Sequence, residues 1–469
     1  MSVSKYPRTT NANPKLALKQ LTINRFVAKA DPNKQIKLGI WAYFVLLIIE
    51  GALRKWVLPG LSTPLLIIRD PIAAYILILA WSKELIVFDK YLVGMVIIGI
   101  VGVGAAMLVG HQNLPVALFG ARILVLHFPL IFVIGRVFNR DDVIKMGKFI
   151  LLISIPMALL IAVQFYSPQS AFVNASVGGD EKGAGFSGAL GFFRPPGTFS
   201  FTNGTTLFFG LVSGLVIYFW LNAKTINRLV LIGATLALLA SIPLSISRSL
   251  LFQVVLSVVF ALLATSRKPK YLGRMLMAIV GAVAALAILS TTSFFQTAAQ
   301  AFTNRFESAN EIEGGLEGVF IDRYLGGLIG ALQQSSEEPF LGYGIGMGTN
   351  VGSMLLSGKV TYLIAEGEWG RLIGELGPLL GIAVIAIRMG LAFKLLIFSY
   401  KKLVLGDLLP WMLLGFFLTN VPQGQWAQPT SLGFSILIGG LLMASLRVPK
   451  KSPVRVPVRT PLTPMKTVV

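Results

Sequence analysis

From residue 38 onwards the sequence is a train of apolar runs, each of roughly 16 to 25 residues and each closed by a short polar or basic break. A helix rises about 1.5 Å per residue, so one such run crosses the ~30 Å hydrocarbon core of a bilayer. Composition excludes a soluble alternative: 55% of the 469 residues are hydrophobic and 13% charged, with a mean hydropathy of +0.75. The runs fall near 38–53, 64–81, 91–110, 115–135, 148–166, 202–221, 228–246, 249–265, 274–293, 370–398, 407–420 and 429–446. The expected fold is therefore all-α, a polytopic membrane protein with about twelve transmembrane helices. Residues 1–37 read as a basic tail without the apolar core or cleavage site of a signal peptide, 38–446 as a single transmembrane domain, and 447–469 as a basic, proline-rich tail.

Lysine and arginine set the expected orientation. Both tails are rich in them, and the breaks at Arg136/Arg140, Lys224/Arg228, Arg267/Lys268/Lys270 and Lys401/Lys402 alternate onto the same side, which places both termini in the cytoplasm. The formal charge of +21 lies largely in these segments, where topology and anionic lipid account for it, so nucleic acid is not an expected partner. The chain has no cysteine and only two histidines, His111 and His127, both read as packing or interfacial residues. No acidic cluster suggests a divalent cation, so the expected chemistry needs neither metal nor nucleotide cofactor.

The opposite face is uneven. Segments of about 167–201 and 294–369 are long enough to be functional. The first is glycine-rich and ends in RPPGTF at 194–199. The second contains RFESANEIEGGLEGVFIDRYLGGLIGALQQS, read as an amphipathic helix near the interface, then GYGIGMGTN at 342–350, read either as a backbone arrangement that presents amides or as a re-entrant turn packed on the spans. Arg194 and Arg248 sit at span ends on this face with no acidic residue within four positions. A charged planar donor at that depth makes sense when a substrate supplies the anion, although headgroup anchoring is the plain structural alternative.

The order of RPPGTF, SRS at 247–249, GYGIGMGTN and ELGPLLG at 375–381 along about twelve spans resembles the O-antigen ligase and O-antigen polymerase superfamily. EGALRKWVLP at 50–59 and IIRDP at 67–71 resemble a subgroup of it often found near exopolysaccharide genes. The resemblance implies a GT-C-like membrane glycosyltransferase of the bacterial cytoplasmic membrane. Its substrate would be a glycan on undecaprenyl diphosphate, used at the outer face, with a chain-length regulator as a further partner. It also implies that Arg194 and Arg248 hold the diphosphate. Ligases of this type carry a histidine in the late loop, and none lies between Gly342 and Gly370 here, which favours a polymerase over a ligase acting on lipid A core. In that interval and just beyond it stand Glu366, Glu368, Arg371 and Glu375. Glu368, Arg371 and Glu375 are spaced three and four apart and so share a helix face. Glu368 is the candidate base, with Arg371 as its orienter and Glu366 as the other carboxylate; the same set also fits an ion-pair ladder capping the tenth span. Arg69, Asp70, Tyr343 and Glu375 are candidates for substrate contact or for structure, with Arg69 and Asp70 favoured as a fold-orienting pair. A transporter of an amphiphilic anion is the rival class.

Because the chain lacks cysteine, single replacements report topology cleanly. Asp180→Cys and Asn350→Cys should react with an impermeant thiol reagent added outside intact cells, and Lys268→Cys should not; outside labelling of position 268 would overturn the orientation.

Overall fold

The computed structural model describes residues 31–447 apart from 180–182, 184–185, 268–271, 314–325, 336–337 and 360. Most of both tails and the middle of the expected amphipathic segment lie outside the described residues. Sixteen helices of eight residues or more are described: α1 (Lys34–Ala52), α2 (Arg69–Ser82), α3 (Lys90–Leu108), α4 (Leu114–Arg122), α5 (Phe128–Val137), α6 (Arg140–Tyr166), α7 (Thr202–Leu221), α8 (Arg228–Leu244), α9 (Arg248–Arg267), α10 (Leu272–Ser290), α11 (Ser293–Glu313), α12 (Gly327–Gln334), α13 (Asn350–Ser357), α14 (Glu368–Val404), α15 (Leu409–Asn420) and α16 (Pro429–Leu446). A π-turn at Ile123–His127 joins α4 and α5 into one apolar rod. Every expected apolar run is helical, and ten helical segments are long and apolar enough to cross a membrane; α8 and α15 are shorter. The protein is a mostly helical, multi-span membrane protein.

Burial grades the bundle. α16 packs along α5 and α15, α7 along α9 and α15, and α6 along α8, and α7 and α16 are enclosed over most of their length. Their stretches of Gly, Ser and Ala let neighbours approach closely, as helices in lipid require. α10 is apolar on nearly all sides and almost wholly open, as a lipid-facing helix is.

Two interruptions of regular structure position everything else. The first is in α14, where Gly377 (φ 77°, ψ 169°) precedes Pro378 and breaks the helix. Pro378 has no N–H, so the carbonyl of Gly374, four residues back, loses its helical donor. The glycine-rich segment supplies replacements: Tyr343 N donates to Gly374 O at 2.8 Å and Gly344 N to Glu375 O at 3.0 Å. A freed carbonyl at membrane depth must find such a partner. The fit leaves no room for side chains. Gly342, Gly344 and Gly346 all have positive φ, and a Cβ on Gly346 would lie 2.1 Å from Val116 O. GYGIGMG is thus a turn packed on α3, α4 and α14, and the amides of Tyr343, Gly344 and Gly348 are spent on the protein itself. His111 belongs to the same packing, with Nε2 3.2 Å from Ile345 O.

The second interruption is the chain before α7. A short antiparallel hairpin, β1 (Ser187–Ala189) and β2 (Phe192–Phe193), adds strand to the expected all-α fold. Its loop, Leu190–Gly191, has positive φ at both residues, as a tight two-residue turn needs. Arg194 N extends the pairing to Phe186 O at 2.8 Å. The RPPG corner follows, and the EGALRKW stretch grips it. Lys55 Nζ donates to Gly197 O at 2.6 Å, Arg54 Nη1 to Ser200 Oγ at 2.9 Å, and Thr198 Oγ1 to Ile48 O at 2.6 Å. A Cβ on Gly51 would lie 2.3 Å from Phe199 C, so glycine is required for this approach. Gln164 closes the corner from the other side, accepting from Gly197 N at 2.8 Å and donating to Gly197 O at 3.2 Å.

Gly346→Ala meets both a positive φ and a backbone oxygen. It should destabilise the protein by about 2 kcal/mol or more, seen as a lower thermal midpoint of detergent-purified protein. Gly104→Ala, on an open helical surface with nothing within 4 Å, should melt like the unaltered chain.

Candidate functional site

Among the described residues, three groups of charged side chains stand out inside the structure. The first surrounds Arg69 and Asp70. These neighbours do not act as one pair: Arg69 Nε donates to Glu50 Oε2 at 3.1 Å and its Nη2 to Pro429 O at 2.5 Å. Asp70 turns the other way, accepting from Arg122 Nη1 at 2.7 and 2.8 Å and lying 2.9 Å from His127 Nε2. Tyr43 bridges the halves, with its hydroxyl 3.0 Å from His127 Nδ1 and 3.4 Å from Arg69 Nη1. Adjacent residues on a helix point about 100° apart, which is why the two charges serve different walls. The network ties α1, α2, α4, the π-turn after α4 and α16 together.

The second group is the ladder at the start of α14. Glu368 Oε1 accepts from Arg371 Nη2 at 2.9 Å and Arg388 Nη1 at 2.6 Å; its Oε2 accepts from Arg371 Nε at 3.0 Å and Trp426 N at 3.2 Å. Arg371 Nη1 reaches Glu375 Oε2 at 2.7 Å, and Glu375 Oε1 accepts from Gly348 N at 2.8 Å. Arg388 spends its remaining donors on Val421 O and Gly424 O, both at 2.8 Å, and stacks 3.9 Å over the Trp426 ring. All four side chains are buried. Both oxygens of Glu368 are occupied by donors, and the carboxylate holds the helix start against the 421–426 loop. Tyr343, 43% exposed, contributes to this region through its backbone.

The third group is cationic. The hairpin leading to Arg194 packs on the corner that begins α9, since a Cβ on Gly188 would lie 2.6 Å from Ile246 Cδ1, and α11 packs on β1. Arg194 from the first element, Arg248 from the second and Arg305 from the third are thereby drawn together. Burial, then the like charges of Arg305 and Arg248, pull the Arg194 guanidinium below the ordinary arginine value. Its Nε is buried and makes no hydrogen bond among the described residues. Ile246, β-branched with a φ of 46°, holds the corner in a conformation that costs about 1–3 kcal/mol. Such strain persists where surrounding structure over-determines it.

From the start of α9 opens a cavity of about 630 Å³ between α7, α9, α14 and α15. Ser249, the residue after Arg248, lines it together with Thr206, Gln253, Gln425, Glu366 and Glu368. Of its two carboxylates, Glu366 is exposed and has no side-chain partner among the described residues; only its backbone oxygen is used, by Gln425 Nε2 at 3.1 Å. The structure thus brings Glu366 and the Arg248 helix to one cavity, gathers Glu368, Arg371 and Glu375 into a closed ladder, and leaves Arg69 and Asp70 in a separate scaffold.

Sequence reasoning missed Arg305, Arg388 and the glutamine-rich stretch VPQGQWAQ at 421–428. Arg388 carried a signal, a lone arginine inside an apolar run. Arg305 carried none, because its neighbour Glu307 makes it look like an ordinary surface helix residue. Among the described residues no group of histidines and carboxylates has the arrangement of a metal site. Glu368→Gln leaves two arginines buried against a neutral amide and should cost about 3–5 kcal/mol, read as a large fall in thermal midpoint, whereas Glu366→Gln should melt unchanged. Compared with known proteins, the chain matches no family model and no curated relative.

Proposed function

We propose that the protein is a metal-independent membrane glycosyltransferase of the polymerase type, working at the outer face of the bacterial cytoplasmic membrane with both termini inside. On this reading its fold is of the GT-C-like kind, with about twelve spans, and its donor is a glycan on undecaprenyl diphosphate. The observation that carries the reading is the partly buried Arg194, whose Nε has no partner among the described residues and which lies among like charges, one of them on the helix whose next residue, Ser249, lines a cavity that also holds Glu366. Cations crowded together at the mouth of a span are costly in the free protein and become favourable when a polyanion arrives. A diphosphate offers that charge, and a guanidinium fork matches its oxygens two at a time. The resemblance of RPPGTF, SRS and EGALRKW to the O-antigen polymerase and ligase superfamily points the same way.

The chemistry is a single displacement. The acceptor hydroxyl oxygen forms a bond to the anomeric carbon while the bond from that carbon to the diphosphate oxygen breaks. The hydroxyl proton passes to a carboxylate, and the electron pair leaves on the diphosphate, where the arginines neutralise it. Glu366 takes the base role, because Glu368 already accepts four hydrogen bonds. Arg371 then acts at one remove, by fixing the helix start from which Glu366 is presented. The leaving group carries the reaction energy, so no further cofactor is called for.

Purified protein supplied with lipid-linked repeat units should lengthen the glycan. Arg194→Ala, Arg248→Ala or Arg305→Ala should lower the transfer rate about 10²-fold or more, and Arg194→Lys should remain strongly impaired because it loses the planar fork. Glu366→Gln should bind substrate and not transfer. Full activity in Arg194→Ala and Glu366→Gln would overturn the assignment.

A further inference from the structure

The glutamine-rich stretch 421–428 has no part in the proposed chemistry, yet it forms a wall of the cavity. Gln423 and Gln425 line it from the loop, Asn420 from the end of α15 and Gln253 from α9, together with the aromatic side chains of Trp369 and Phe416. Three of these amides are held in place, Asn420 by Nδ2 donating to Phe416 O at 2.8 Å and to Thr419 Oγ1 at 3.0 Å. Gln425 Nε2 donates to Glu366 O at 3.1 Å, and Gln425 Oε1 accepts from Gln428 Nε2 at 2.7 Å. Gln428 Oε1 in turn accepts from Asn203 Nδ2. Gln253 Oε1 is fixed by Thr419 Oγ1 at 2.7 Å, while Gln253 Nε2 is buried with no acceptor. A buried amide N–H without a partner is costly, so its presence in a residue of the cavity wall calls for a ligand acceptor. Gln423 has no hydrogen-bond partner among the described residues either.

The ligand's chemistry follows from the lining. Among the cavity-lining residues no cation appears, so the part of a ligand seated here is not the anion. Gln423 keeps both a donor and an acceptor free among the described residues, Gln253 a donor and Asn420 its Oδ1 acceptor, the complement of hydroxyls, each of which donates and accepts. The aromatic residues Trp369 and Phe416 in the same lining suit the apolar C–H face of a ring. At about 630 Å³ the cavity falls within the ~300–1,000 Å³ range of small-ligand sites.

We propose that Gln253, Asn420, Gln423 and Gln425 form the subsite for the acceptor sugar, resting on the functional reading above. The acceptor is assigned, and not the donor, because the wall is bonded directly to Glu366, the residue that takes the acceptor's proton. The diphosphate end belongs to the arginines. One uncharged hydrogen bond lost corresponds to roughly a tenfold weakening.

The test uses the full-length protein with two probes: lipid-linked repeat units as donor, and the oligosaccharide released from them by mild acid as acceptor. Gln423→Ala, whose side chain holds nothing else in place, and Gln253→Leu should each raise the acceptor KM about tenfold with the donor KM unchanged, whereas Arg194→Ala should raise the donor KM. Saturation-transfer NMR with the free oligosaccharide gives a second readout, in which Gln423→Ala should lose the contact and Arg194→Ala should keep it. Transfer by the unaltered protein with unchanged acceptor KM in both amide variants would overturn the subsite and leave the enzyme. Oligosaccharide contact that depends on Gln423, in a protein that never transfers, would overturn the enzyme and leave the subsite. Absence of both transfer and contact in the unaltered protein would overturn both.

Discussion

The architecture depends on one unmade hydrogen bond. Pro378 cannot donate to Gly374 O, and at membrane depth that carbonyl has no water to turn to, so the chain brings Tyr343 and Gly344 to close the gap. With the loop seated in the break, Gly348 N reaches Glu375, Glu375 holds Arg371, and Arg371 holds Glu368. The start of α14 is therefore fixed from the break outwards. Glu366 is presented to the cavity from a helix end whose position is set by a proline a dozen residues away.

Charge matching separates scaffold from site. Glu368, Arg371, Glu375 and Arg388 have their donors and acceptors largely consumed, and Arg69, Asp70, Arg122 and Glu50 are linked to one another or to backbone oxygens. A buried ion pair has to recover several kcal/mol of desolvation per ion, and dense hydrogen bonding is how it does so. Arg194 follows neither pattern. The contrast within one molecule gives more direction than any single residue, because this chain pairs its other buried charges while Arg194 Nε has no partner among the described residues.

The sequence made the helical class and the span positions legible because period and length are local properties: α7 and α16 match the expected 202–221 and 429–446 at both ends. The 3,4 spacing of Glu368, Arg371 and Glu375 was equally visible, since a helix fixes which side chains meet. What it could not show was partnership across the bundle. Arg69 and Asp70 look like a pair in sequence and bond to different helices. GYGIGMG looks like an amide cradle, and only the break at Gly377 reveals which carbonyls its amides serve. Arg305 joins Arg194 through packing of α11 on a three-residue strand, a contact with no local signature.

Lys55 carries a consequence for biogenesis. Its ammonium is buried at 2% exposure with Gly197 O as its hydrogen-bond acceptor, and that acceptor lies 142 positions later in the chain. Until the RPPG corner has been synthesised, a cation at the end of the first helix has nothing to bond except water, so it holds that helix end at the bilayer surface. The buried position of this helix end thus depends on a bond to a segment made far later in the chain.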